Sequence, residues 1–135
     1  MKSIKLGNSI INEKSKPYII AEIGVNHEGS FEKAKELIEL SAEGGANAAK
    51  FQTYKADKLA SKNSPAYWDI NKEPTSSQHK LFQKYDSFNE DDYVNLFEHC
   101  KKYKIDFLST PFDDDSLDFL DPILPFFKVA SADLT

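Results

Sequence analysis

Tyr18-Ile19-Ile20-Ala21-Glu22-Ile23-Gly24-Val25-Asn26-His27-Glu28-Gly29 is the stretch on which the fold turns. It opens as an apolar run of the kind that forms a strand covered on both faces, as in parallel sheets. Glu22 interrupts that run, and an unpaired charge buried there would cost on the order of several kcal/mol. Gly24, Asn26, His27, Glu28 and Gly29 then read as a polar turn rather than a helix. A strand that ends in a buried acid and a glycine-punctuated polar loop predicts one wall of an active site.

Upstream, residues 3–11 carry short apolar segments around the turn dipeptide Gly7-Asn8 and predict a β-hairpin. Downstream, Ser30 is a good N-cap for a helix to Glu43, with Phe31, Ala34, Leu37, Ile38 and Ala42 on one face. Gly44-Gly45 ends it. Residues 46–53 form the next short apolar run, carrying Lys50 and Gln52. Residues 54–75, with Pro65, Pro74, Tyr67 and Trp68, are too long for an ordinary connection and predict a packed lid over a ligand. Ser76 or Ser77 caps a short helix through Tyr85.

Ser87-Phe88-Asn89-Glu90 has capping-box spacing and predicts a helix to Lys104 with Tyr93, Leu96, Phe97, Cys100 and Tyr103 inward. Cys100 then belongs to packing, and His79 and His99 to helix surfaces. Residues 105–110 are a third strand, ended by Pro111. Asp113-Asp114-Asp115-Ser116 supply a cap and an acidic first turn. A carboxylate-rich metal site is the sharper reading of those aspartates and capping the favoured one. After Pro122 and Pro125, residues 126–130 read as a fourth strand. A hairpin followed by four strands alternating with helices is an α/β pattern with parallel strands and right-handed crossovers.

The chain has 135 residues, 40% of them hydrophobic, which suffices for one core. A net charge of −5 without a Lys/Arg cluster argues against a nucleic-acid partner. One cysteine excludes an internal disulfide and fits a reducing compartment. No apolar run reaches the roughly 20 residues of a membrane span. A cytoplasmic protein working on small molecules is expected.

Strand side chains alternate between faces. Glu22, Lys50, Gln52, Thr110 and Lys128 therefore converge near one rim if their faces point into a barrel, and that rim is where βα-barrels keep their chemistry. Two lysines with the hydroxyls of Thr110 and Ser131 suit a phosphate or carboxylate. Glu22 would orient a hydroxyl or exchange a proton with a second, neutral substrate. Each residue also has a plainer use. Lys50 and Lys128 can snorkel, Thr110 can cap the turn before Pro111, and Glu22 can pair with a lysine. Their coincidence on successive strands favours a site. His27 beside Glu28 invites a metal, but no second histidine lies at ligand spacing, and loop-shaping hydrogen bonds are favoured.

The segments Ala21-Glu22-Ile23-Gly24-Val25-Asn26-His27-Glu28-Gly29, Ala49-Lys50-Phe51-Gln52-Thr53, Phe107-Leu108-Ser109-Thr110-Pro111-Phe112 and Phe127-Lys128-Val129-Ala130-Ser131 together resemble the bacterial sialic acid synthases. The resemblance implies a TIM (β/α)8-barrel that condenses phosphoenolpyruvate with an N-acetylated amino sugar such as N-acetylmannosamine. It also implies a divalent metal, manganese or magnesium, that polarises the sugar aldehyde, and a homodimer. Lys50, Thr110, Lys128 and Ser131 would hold phosphoenolpyruvate, and Glu22 and Gln52 would face the sugar. Asp133 stands where the family commonly has a glutamate, and a substrate-binding role is carried over to it.

A complete βα-barrel takes about 250 residues, so residues 1–135 are expected to form the N-terminal part of one. The metal-binding histidines, the later strands and a C-terminal antifreeze-like domain then have no counterpart, and the polypeptide alone is expected to be inactive. The competing reading is a non-catalytic half-barrel that binds anions or serves assembly.

Overall fold

The computed structural model of the chain describes residues 2–134. At the N-terminus, β1 (Ser3–Leu6) and β2 (Ser9–Asn12) pair antiparallel across Gly7-Asn8. Gly7 has φ +54°, the left-handed conformation that a two-residue hairpin turn demands. The expected hairpin is therefore present.

The main sheet has three parallel strands in the order β3 (Ile20–Gly24), β4 (Ala48–Thr53) and β5 (Asp106–Pro111). Helix α1 (Phe31–Glu43) joins the first two. Ser30 caps it by accepting the Lys33 N–H, and Gly45, at φ +82°, turns the chain out of its last turn. Between β4 and β5 lie α2 (Ala56–Leu59), α3 (Gln78–Tyr85) and α4 (Glu90–Lys102). Helix α5 (Asp114–Leu120) follows β5.

One sheet face carries the core. Ile23, Ala49, Phe51 and Phe107 pack against Ala34 and Ile38 of α1, Leu96 and Cys100 of α4, and Leu120 of α5. The opposite face carries Glu22, Lys50, Gln52, Leu108 and Thr110, as the register shows. This is an arc of a parallel βα-barrel, with its helices outside and its polar strand ends inside.

Several expectations need correction. Residues 126–130 do not form a fourth strand, so the sheet is an arc of three. The Phe126 ring meets Tyr18 edge-on at 5.8 Å, but Phe127 and Val129 are 39% and 50% exposed. Apolar alternation makes a strand only when ladder bonds offset the cost of ordering the backbone, and residues 126–130 have none with β5. The cap of α4 is Asn89, not Ser87. The Asn89 side chain takes the Asp92 N–H while Asp92 accepts from the Asn89 N–H, which leaves Phe88 free to enter the core.

The histidines are not surface residues either. His79 is buried against Asp57 at 2.7 Å, and His99 joins α4 to Glu39 of α1 at 2.9 Å. In both cases the ring meets a carboxylate on a neighbouring helix. The connection after β4 contains α2, then folds on itself. Pro65 bridges Ser77, and the Trp68 indole donates to the Glu73 carbonyl at 2.9 Å. No described helix is long and apolar enough to cross a membrane.

Candidate functional site

Register decides what meets at the strand ends. Glu22, Lys50 and Leu108 lie in one cross-strand row, and Gln52 lies opposite Thr110 in a row nearer the C-terminal ends. Lys50 Nζ is 2.5 Å from Glu22 Oε2 and donates a long hydrogen bond, 3.5 Å, to Thr110 Oγ1. The Lys50 side chain is only 9% exposed, whereas that of Glu22 is 56% exposed. The acid expected to be buried therefore faces solvent, and the amine beside it is the enclosed partner. A charge inside a run of apolar residues marks a strand position without fixing whether its face is covered.

A β-bulge sets this geometry. Pairing runs Glu22 to Lys50 and then Gly24 to Phe51, so an extra residue is absorbed at Ile23. Ile23 turns into the core, and Gly24 takes φ +54°. A Cβ on Gly24 would lie 3.4 Å from Glu22 Oε1 and 3.6 Å from Gln52 Nε2. The bare glycine thus leaves room for the carboxylate and the amide to flank one spot. Gly24 was not singled out from the sequence as a site residue, although a glycine closing a strand is a recognisable sign of a bulge.

A second layer holds the strand ends in place. The Tyr93 hydroxyl donates to the Gln52 carbonyl at 3.1 Å, and burial pushes its phenol up to about 12, so it stays a donor. Thr53 Oγ1 and Ser109 Oγ share a buried hydrogen bond of 2.6 Å between β4 and β5. Asp113 caps α5 through the Ser116 N–H and also accepts the Lys55 N–H, both at 2.9 Å. Asp86 takes the Ala56 N–H at 3.0 Å and the Lys55 ammonium at 2.9 Å. These two aspartates fasten the chain just after β4 to α3 and α5, and neither stood out from the sequence in that role.

His27 shapes the loop. It is 2% exposed, its Nδ1 accepts the Gly29 N–H at 3.1 Å, and its ring stacks on Phe88 at 4.4 Å. Burial first, and the Lys33 charge second, hold its pKa below the usual imidazole value. A neutral ring used for packing and one hydrogen bond accounts for its place. Asn26 is exposed, and Glu28 pairs with Lys33 at 2.9 Å.

Of the seven residues the sequence nominated, Glu22, Lys50, Gln52 and Thr110 come together. Lys128, Ser131 and Asp133 do not join them. Lys128 is exposed and its ammonium donates to the adjacent Val129 carbonyl at 2.6 Å. Ser131 and Asp133 lie exposed in a 3-10 turn. Without ladder pairing at residues 126–130, no pleat directs these three toward Lys50. Among the described residues no group of three His, Cys, Asp or Glu side chains is placed to hold a metal. The described side chains alone therefore do not supply a donor set for the implied divalent ion.

A family profile described as the NeuB family matches residues 37–135. The chain is 41% identical over 120 residues to the N,N'-diacetyllegionaminic acid synthase of Legionella pneumophila, covering 87% of this chain and 34% of that protein. It is 40% identical over 123 residues to the protein of the same name in Campylobacter jejuni, covering 89% and 36%. In structure it matches N-acetylneuraminic acid (sialic acid) synthetase from Leptospira borgpetersenii, crystallised with citrate. That match has a TM-score of 0.81 at 33% identity and covers 98% of this chain and 42% of the other. The chain thus spans only 34% and 36% of the two relatives' lengths. Because the profile covers well over half of the sequence and the strand arc superposes on a solved synthetase, the chain belongs to the NeuB family.

Proposed function

We propose that the strand-end cluster is the phosphoenolpyruvate-facing side of a site that condenses phosphoenolpyruvate with an N-acetylated amino sugar, giving a nonulosonic acid and phosphate. The observation that carries this reading is the enclosed Lys50 ammonium, set among Glu22, Gln52 and Thr110 at the C-terminal ends of parallel strands. An ammonium shielded from water binds a carboxylate or phosphate oxygen more strongly than an exposed one. Thr110 offers a hydroxyl donor and Gln52 an amide on the same face.

In this reading the enol carbon C3 attacks the sugar aldehyde carbon, forming the new C–C bond and leaving an alkoxide that takes up a proton. Water adds at C2, and the C2–O bond to phosphate breaks. Glu22 exchanges a proton with the sugar hydroxyl or with that water. Lys128 and Ser131 complete the grip on the anion, and Asp133 reaches the substrate, once residues 126–130 pair along the edge of β5. A divalent metal belongs to the same proposal only with ligands other than the described side chains, and no step above runs through it. The names of the relatives support a nonulosonic acid product without fixing the sugar for this chain.

Calorimetric titration with phosphoenolpyruvate tests the reading. Lys50→Ala should weaken binding by about tenfold or more, the scale of a lost charge-assisted contact. Equal affinity in wild type and Lys50→Ala would remove the assignment.

A further inference from the structure

We infer that Glu22 is a built-in competitor of the bound anion: its carboxylate occupies the anion position on Lys50 until a substrate carboxylate or phosphate displaces it. This rests on the reading of Lys50 as an anion-binding residue and adds to it a role for Glu22 before any chemistry occurs.

The asymmetry of the pair supports it. Lys50 is enclosed by strand neighbours, its side chain 9% exposed, and among the described residues its ammonium has, besides Glu22, only the 3.5 Å contact to Thr110. The lysine sits on β4, the middle strand, between two parallel neighbours. Glu22 is the movable partner. Its side chain is 56% exposed, and the space beside it is free of any Cβ at Gly24. Of the ammonium's three donors, the one aimed at Glu22 makes by far the shorter of its two contacts. At 2.5 Å, Glu22 Oε2 stands where the oxygen of an incoming anion would make that contact. Displacement turns Glu22 toward solvent, beside the bound anion, where a proton-exchanging group is needed.

The test uses the full chain with inorganic phosphate and with phosphoenolpyruvate as separate titrants, followed by calorimetry. Glu22→Gln keeps the shape and loses the competing charge, so both anions should bind about two- to fivefold tighter than to wild type, the scale of a partly exposed ion pair. Glu22→Ala should shift in the same direction, and circular dichroism confirms that each variant is folded. If binding depends on Lys50 but is unchanged or weaker in Glu22→Gln, the competitor role is overturned and the anion site stands. If affinity is indifferent to Lys50→Ala, or no anion binds to any variant, the site reading falls and this inference falls with it.

Discussion

The Tyr18 hydroxyl donates to Asp106 Oδ2 at 2.5 Å, tying the chain just ahead of β3 to the first residue of β5, which itself pairs with Ala48 of the middle strand. Burial, then the carboxylate beside it, hold the Tyr18 phenol well above the usual tyrosine range, so it stays a donor. The hairpin approaches the same carboxylate so closely at Gly7 that a methyl there would overlap Asp106. Tyr18→Phe should lower stability by about 1–2 kcal/mol, the cost of stranding a half-buried carboxylate. Gly7→Ala should cost at least as much. The urea midpoint of each variant reads the effect, and an unchanged midpoint in both would show that the end-lock carries no stability.

His27 makes stability depend on pH. Its folded pKa lies below the usual 6.5, so between those two values the unfolded chain binds a proton that the folded chain refuses. The contribution is fully present above pH 6.5 and is lost as pH falls toward the folded value. His27→Phe keeps the stack on Phe88 and removes the titration. It should cost about 1 kcal/mol at neutral pH through the unpaired Gly29 N–H and should flatten the acid-side slope. Urea titrations across pH 5 to 8 check it, and parallel slopes in both proteins would contradict it.

Gly24→Ala tests the bulge. The substitution places a side chain at φ +54° and into the gap shared by Glu22 and Gln52. A loss of about 1 kcal/mol follows from the left-handed backbone alone. Anion affinity should fall as well, because relaxing the strained left-handed backbone shifts Glu22, two residues away on the bulged strand. A stability loss with unchanged phosphate binding would separate the bulge from the site.

Cys100 is fully buried and its thiol is pushed up to about 12 by burial. A disulfide reagent at pH 8 should label the folded chain only as fast as it opens, and labelling should accelerate with added urea. Rapid stoichiometric labelling without denaturant would place Cys100 outside the core.

The sheet arc and its helices were legible because the signals were local: an apolar run, then a cap, then a helical stripe. Ser30 caps the helix assigned to it, Ser77 is the one of Ser76 and Ser77 that caps α3, and Asp113 is the member of the aspartate run that caps α5. The row Glu22–Lys50 with Gln52–Thr110 was legible for a related reason, since alternation within a strand needs no knowledge of its neighbours. What failed was whatever depended on partners. Residues 126–130 have a strand's pattern but no ladder, and His79 and His99 meet carboxylates distant in sequence. The bulge at Ile23 and the Tyr93 hydroxyl bond to Gln52 are equally non-local.

The most direct measurement is a crystal structure of the chain soaked with phosphoenolpyruvate. A carboxylate or phosphate oxygen should lie within hydrogen-bond reach of Lys50 Nζ, about 2.7–2.9 Å, with Thr110 beside it and the Glu22 carboxylate swung off the lysine. Phosphoenolpyruvate bound elsewhere, with the Glu22–Lys50 pair still closed, would contradict this reading.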